Sequence, residues 1–185
     1  MNLQELLNKW NIKCDVNTLL SMWNESHRAY HTLTHLNDLI DQINKDKSKY
    51  SEKEYEKLII TSLFHDCVYE PIRNDNEEKS AEFFESCCSD KNPDTQEIKQ
   101  MILDTKTHES TTPLSESFNY YDMSIVERDF EKLLEWEKGI SQEYSFYDKD
   151  VYKKGRLNFI ESLLDKYVNN NENLLKLIEF VKNNY

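Results

Sequence analysis

The 185-residue sequence predicts an all-α fold: one domain over residues 1–185, built from about eight to ten helices. Three observations predict it. There are only 2 Gly and 3 Pro, too few to punctuate the many tight turns of a sandwich or barrel. Apolar residues recur at three- and four-residue spacing through most of the chain. Aromatic residues make up 12%, so large rings can fill a core although only 38% of residues are hydrophobic.

The elements follow in order. Leu3, Leu6, Leu7 and Trp10 line one face of a first helix. Val16, Leu19, Leu20 and Trp23 line a second, with Asp15 as its N-cap. A third carries Leu36, Leu39, Ile40 and Ile43 and runs into a charged loop over residues 45–49. A fourth carries Leu58, Ile59, Leu63 and Phe64 and ends at His65-Asp66, before a break at Glu70-Pro71. Asn74-Asp75-Asn76 offers N-caps to a fifth, with Glu77 and Glu78 suited to its first turn. A sixth begins near Pro93, with Ile98, Ile102 and Thr105 on one face. Residues 109–121 read as a loop. Helices over about 124–147, 150–168 and 172–183 complete the chain, the last two separated by Asn169-Asn170-Asn171.

Charge and cysteines bound the function. A net charge of −12 argues against a nucleic-acid polymer or an anionic membrane as the main partner. It leaves room for a small phosphorylated substrate if the site is made locally positive. Cys14, Cys67, Cys87 and Cys88 lack C-x-x-C spacing and read as reduced thiols of a cytoplasmic protein. The segment MNLQELLNKW has no apolar signal core, and no run is long enough to span a bilayer.

The five histidines concentrate the chemistry. His27, His31 and His35 stand four residues apart, and on a helix such residues share a face that can bind one metal or line one cavity. His27 reads as a surface residue. His65-Asp66 follows the mostly apolar run Ile60 to Phe64. A carboxylate there is costly unless it is paired or bound to a cation. An isolated His-Asp dipeptide has a bland alternative, an ion pair beside a core histidine.

The order of motifs goes further. Tyr30-His31-x-x-x-His35, then an apolar helix ending in His65-Asp66, then Asp122 resembles the ligand order of the HD superfamily. The segments Phe64 to Pro71 and Asp75 to Ala81 are similar to the F-H-D-x-V-Y-D-P and D-N-E-x-x-S-A blocks of one subgroup, the predicted metal-dependent HD phosphohydrolases. Thr105-x-x-His108, Asp122-x-Ser124-Ile125, Glu143-Tyr144 and Tyr152-x-x-Gly155-Arg156 extend the likeness over about residues 23–165. Three positions depart from the pattern. Glu70 stands where Asp is usual, Glu127 where Gly often follows, and Ser141 where an Arg is expected. The last removes a candidate phosphate contact.

This resemblance implies an HD-type helical domain and hydrolysis of a phosphoester of a small metabolite, with a nucleotide as the expected example. It implies one divalent transition metal (Mn, Fe, Co, Ni or Zn), with a second as a further option, on His35, His65, Asp66 and Asp122. Mixed imidazole and carboxylate donors suit these metals better than Ca. By likeness to the cyclic-nucleotide phosphodiesterases, His31 is the general acid and His35 the ligand; the reverse assignment stays open. Glu70, Asp75 and Glu77 are candidates to orient or deprotonate water. Lys79, Arg156 and His108 are candidates to contact substrate, with Arg73 a further cation; His108 has the alternatives of a group that supports a metal ligand, a ligand to a second metal or a core histidine. The alternative functions are an HD-type diiron oxygenase and a non-catalytic metal-binding regulatory domain.

Overall fold

A computed structural model of the chain describes residues 2–185. Among these it contains ten α-helices and no strand: α1 Leu3–Lys9, α2 Val16–Met22, α3 Leu33–Lys45, α4 Glu52–Phe64, α5 Asn76–Cys87, α6 Pro93–Asp104, α7 Pro113–Asp122, α8 Phe130–Glu143, α9 Lys149–Leu163 and α10 Asn171–Asn184. Short 3-10 turns occupy Lys47–Lys49, Met123–Glu127 and Val168–Asn170. The expected all-α class and helix number are both found. No described helix is long and apolar enough to cross a membrane. The helices gather into two compact units, Met1–Asp122 and Met123–Tyr185.

The first unit is organised around α4. Its residues Tyr55 to Phe64 are all buried, and it packs against α2, α3, α5, α6 and α7. A helix that is buried on every side must be apolar nearly all round. Leu58, Ile59, Ile60, Leu63 and Phe64 meet that need, each fully buried. The polar residues among them are satisfied locally. The Thr61 and Ser62 hydroxyls donate to the carbonyls of Lys57 and Leu58, both at 2.8 Å. Glu56 accepts from Lys9 and Trp10, while Lys57 pairs with Asp94 and Glu97. A Ser51–Glu54 capping box starts the helix, a device worth roughly 1 kcal/mol. His65 terminates it, so the His-Asp pair emerges from the most buried end of the unit.

Two expectations are corrected here. Residues 113–122 form α7 and are not loop. Leu114, Phe118 and Tyr121 recur at helical spacing and are buried, but the Ser, Thr, Pro and Glu around them mask the pattern. Asp75 does stand at the N-cap position of α5, yet its side chain makes no capping bond. Its carboxylate is held instead by Arg73, at 2.8 and 2.7 Å.

The second unit packs α10 against α8 and α9. Its centre is polar at one point. Glu137 on α8 is fully buried and accepts from the Tyr152 hydroxyl at 2.7 Å and from Arg156 Nε at 2.5 Å. Tyr152 and Arg156 lie one turn apart on α9, so the four-residue spacing delivers both to one carboxylate. The guanidinium also covers the Trp136 ring at 4.1 Å.

Candidate metal centre

Three helices and two connecting segments of the first unit bring imidazoles and carboxylates together. α3 supplies His35 from its first turn, and the turn before it supplies His31. The end of α4 supplies His65 and Asp66. The last residue of α7 is Asp122, and the segment between α6 and α7 supplies His108.

His35 Nε2 lies 3.1 Å from Asp122 Oδ1, and His65 Nε2 lies 3.5 Å from the same oxygen. His65 Nε2 is 3.3 Å from Asp66 Oδ2, and His31 Nε2 is 3.9 Å from that atom. His108 Nε2 lies 3.2 Å from the other oxygen of Asp122. The ligand atoms of His35, His65 and Asp66 are all within 4.8 Å of one another. Exposure is graded across the group. The His65 side chain is 1% exposed, whereas His31 and His108 are 19% and 20% exposed and face the accessible side.

His65 carries the most informative atom. Its Nδ1 lies 3.0 Å from the Ser62 carbonyl, which can only accept, so Nδ1 is the protonated nitrogen. Nε2 is buried and has no hydrogen-bond partner. It faces two carboxylates instead. Burial alone would lower the His65 pKa; the Asp66 and Asp122 carboxylates outweigh burial and raise it well above the usual range. Burial pushes the two carboxyls up, but the imidazoles around them prevail. His65 and His31 hold Asp66 low, and His108, His35 and His65 hold Asp122 low.

A buried cluster with two ionised carboxylates needs positive charge. A protonated His65 can supply some of it, and so can a cation. The donor set fits a cation in three respects. An orphaned Nε2 with Nδ1–H anchored on a carbonyl is the arrangement of a metal-binding histidine. Imidazole mixed with carboxylate suits a divalent transition metal. Donors about 2.1 Å from one ion stand roughly 3.0–3.5 Å apart, and the separations among His35, His65, Asp66 and Asp122 include 3.1, 3.3 and 3.5 Å.

The other expected residues are placed as follows. Glu77 is half-buried on the first turn of α5; burial first, and the nearby Asp66 carboxylate second, raise its pKa. The Glu70 side chain is exposed. Asp75 is tied to Arg73, and Lys79 to Glu82 at 2.6 Å. Arg156 belongs to the second unit, where it is engaged by Glu137. His27, expected at the surface, is half-buried; its Nε2 meets the Tyr69 carbonyl at 2.8 Å. The ring of Tyr69 in turn packs on His31 at 4.2 Å.

Three residues that hold the site were not singled out in the sequence. The Arg28 side chain is fully buried. It donates to the carbonyls of His31 at 3.1 Å, Asp66 at 2.8 Å and Cys67 at 3.0 Å. It thereby joins the His31 turn to the His65-Asp66 segment. Asn76 clamps Glu70, accepting from its N–H and donating to its carbonyl, both at 3.0 Å. Ser80 clamps Val68 in the same way, at 3.1 and 3.2 Å. The Asn and Ser of the D-N-E-x-x-S-A block therefore fix the loop after Asp66, and the block itself was a usable signal for them. Comparison of the chain with protein-family models, with curated proteins and with solved structures finds no match.

Proposed function

We propose that the protein is a metal-dependent phosphohydrolase of the HD type, acting on a phosphoester of a small metabolite, with a nucleotide as the first class to test. The observation that carries the reading is the compact set of His35, His65 and Asp66, with Asp122 Oδ1 3.1 and 3.5 Å from the two imidazoles, around a buried His65 Nε2 that makes no hydrogen bond. The order of these residues in the chain, which resembles the HD superfamily, adds the reaction class.

His35, His65, Asp66 and Asp122 hold the metal in this reading. When bound, a divalent cation lowers the pKa of water and withdraws charge from a phosphoryl oxygen. The remaining tasks fall to side chains. His31 lies at the accessible side, and its Nε2 is 3.9 Å from Asp66 Oδ2. Tilted packing against the Tyr69 ring and the anchored carbonyl at His31 fix its ring and backbone. It is suited to deliver a proton to the leaving oxygen as the P–O bond breaks. Glu77, with its affinity for protons raised by burial, is suited to accept the proton that water gives up.

The test is elemental analysis of the pure protein beside His65→Ala and Asp66→Ala, followed by a panel of nucleotides and sugar phosphates assayed for released phosphate, nucleoside or pyrophosphate. Bound metal in the parent, its loss in both variants and turnover of one phosphoester are expected. Metal-loaded protein that turns over nothing on a broad panel defeats the hydrolase assignment. Two irons per chain with an oxygen-dependent reaction would instead favour a diiron oxygenase.

A further inference from the structure

His108 stands in a backbone conformation that is uncommon outside glycine. Its φ is 53°, in the left-handed region. For a residue with a Cβ this costs about 1–2 kcal/mol. Such strain persists only where the surroundings over-determine it. Here they do. Asp104, the last residue of α6, accepts through Oδ2 from the Thr111 N–H at 2.9 Å and from the Thr111 hydroxyl at 2.8 Å, and also from Ser115. The Asn119 amide donates to Ser110 at 3.0 Å, and the Glu109 N–H to Thr107 at 3.3 Å. The segment on both sides of His108 is thus tied to the ends of α6 and α7.

The strained turn aims the imidazole at one target. His108 Nε2 meets Asp122 Oδ2 at 3.2 Å. Asp122 Oδ1 meets His35 and His65 at 3.1 and 3.5 Å. The two oxygens of one carboxylate are therefore divided, one to the cluster and one to His108. A carboxylate held by a single oxygen can rotate about its last bond. Held by both, it presents Oδ1 to the cluster in one orientation, which pre-pays the ordering cost of a ligand. The compact donor set of His35, His65 and Asp66 includes neither His108 nor Asp122; Asp122 approaches its two imidazoles directly, through Oδ1.

We propose that His108 is a positioning residue that locks the Asp122 carboxylate toward the metal centre, neither a substrate contact nor a ligand to a second ion. The proposal rests on the metal-centre reading above. Its side chain acts through Asp122, and the left-handed turn is what this aim costs in backbone strain.

The test measures Zn(II) affinity and stoichiometry by competition with a chromophoric chelator, for the whole chain and for His108→Gly, His108→Ala and His108→Asn, with thermal unfolding of each metal-free protein. Gly accepts the left-handed backbone freely, and Asn accepts it better than Ala while keeping an N–H donor. The expected result is a loss of affinity of about 10- to 100-fold in the Gly and Ala variants. Stoichiometry stays at the parent value, Asn recovers part of the loss, and the Gly variant is no less stable than the parent. Gly and Asn variants that bind within twofold of the parent overturn the positioning role alone. A parent that binds two ions and a His108→Gly variant that binds one make His108 a ligand and overturn it as well. A parent that takes up no divalent metal overturns the metal-centre reading, and this proposal with it.

Discussion

Arg28→Lys tests how the centre is held. The substitution keeps the charge and most of the aliphatic stem, and removes the planar fork. Arg28 serves three backbone carbonyls, those of His31, Asp66 and Cys67, from a fully buried side chain. It also pairs with Glu25, but that carboxylate is 43% exposed and can return to water. A lysine ammonium is a point donor and can satisfy about one of the three carbonyls. Leaving two buried acceptors unmatched costs about 1–3 kcal/mol each, so about 2–6 kcal/mol in all. For a unit of this size 1 kcal/mol lowers Tm by roughly 3–6 °C. A fall of about 6 °C or more is therefore expected in a thermal melt monitored by circular dichroism, with a matching shift of the urea midpoint. Zn(II) affinity should fall too, because the turn bearing His31 and the segment bearing Asp66 lose their common anchor. A lysine variant that melts within about 2 °C of the parent would refute this reasoning and leave positive charge alone as the contribution of Arg28.

Asp104→Asn should destabilise by about 1–3 kcal/mol at neutral pH in urea unfolding, since a buried carboxylate that accepts from Thr111, Ser115 and Gln100 loses charge-assisted bonds. Burial opposes ionisation of Asp104, but those donors hold its pKa below the usual carboxylate value of 3.8. A depressed carboxylate stabilises the fold above its unfolded pKa and ceases to do so as pH falls through its folded pKa. The gap between parent and variant should therefore be full at pH 7 and close below pH 3.8; a gap that stays constant into acid would exclude the ionised form as its source. Leu63→Ala in the buried α4 should cost about 2–5 kcal/mol, and a urea-midpoint shift equivalent to less than 1 kcal/mol would mean that α4 is not central to the unit. Burial pushes the Cys67 thiol up to about 12 and that of Cys88 up to about 11, so iodoacetamide at pH 8 should modify neither appreciably before denaturant is added, as read by mass spectrometry; rapid native alkylation of Cys67 would contradict its burial.

Helix faces were legible wherever an apolar stripe stood against polar neighbours. The turns that begin α2, α4 and α6 use caps of ordinary type, with Asp15, Ser51 and Asn92 accepting from their own helices. α7 was missed because its stability is not local. It depends on the buried faces of Leu114, Phe118 and Tyr121, on the Asp104 tether at its start, and on the Tyr121 hydroxyl donating to Asp46 at 2.8 Å near its end. The cluster at His65-Asp66 was legible because a charged residue after an apolar run demands an explanation. Its supports were less so. Arg28 reads as one more basic residue beside His27, and nothing local says that its partners lie some forty positions on. Arg156 shows the converse: its spacing from Tyr152 was visible, but its partner Glu137 lies on another helix.

The ends of two helices meet at the cluster. α4 stops at His65 and α7 stops at Asp122, so the C-terminal ends of both helices lie beside the cluster. Each helix C-terminus carries the equivalent of about half a negative charge, added to the carboxylates of Asp66 and Asp122. Such a locality attracts a cation and repels a phosphate. In the hydrolase reading this imposes an order of arrival: the metal must come first, and an anionic substrate or inhibitor should bind the metal-stripped protein poorly however well it fits. Phosphate, the simplest such anion, becomes a reporter of metal occupancy.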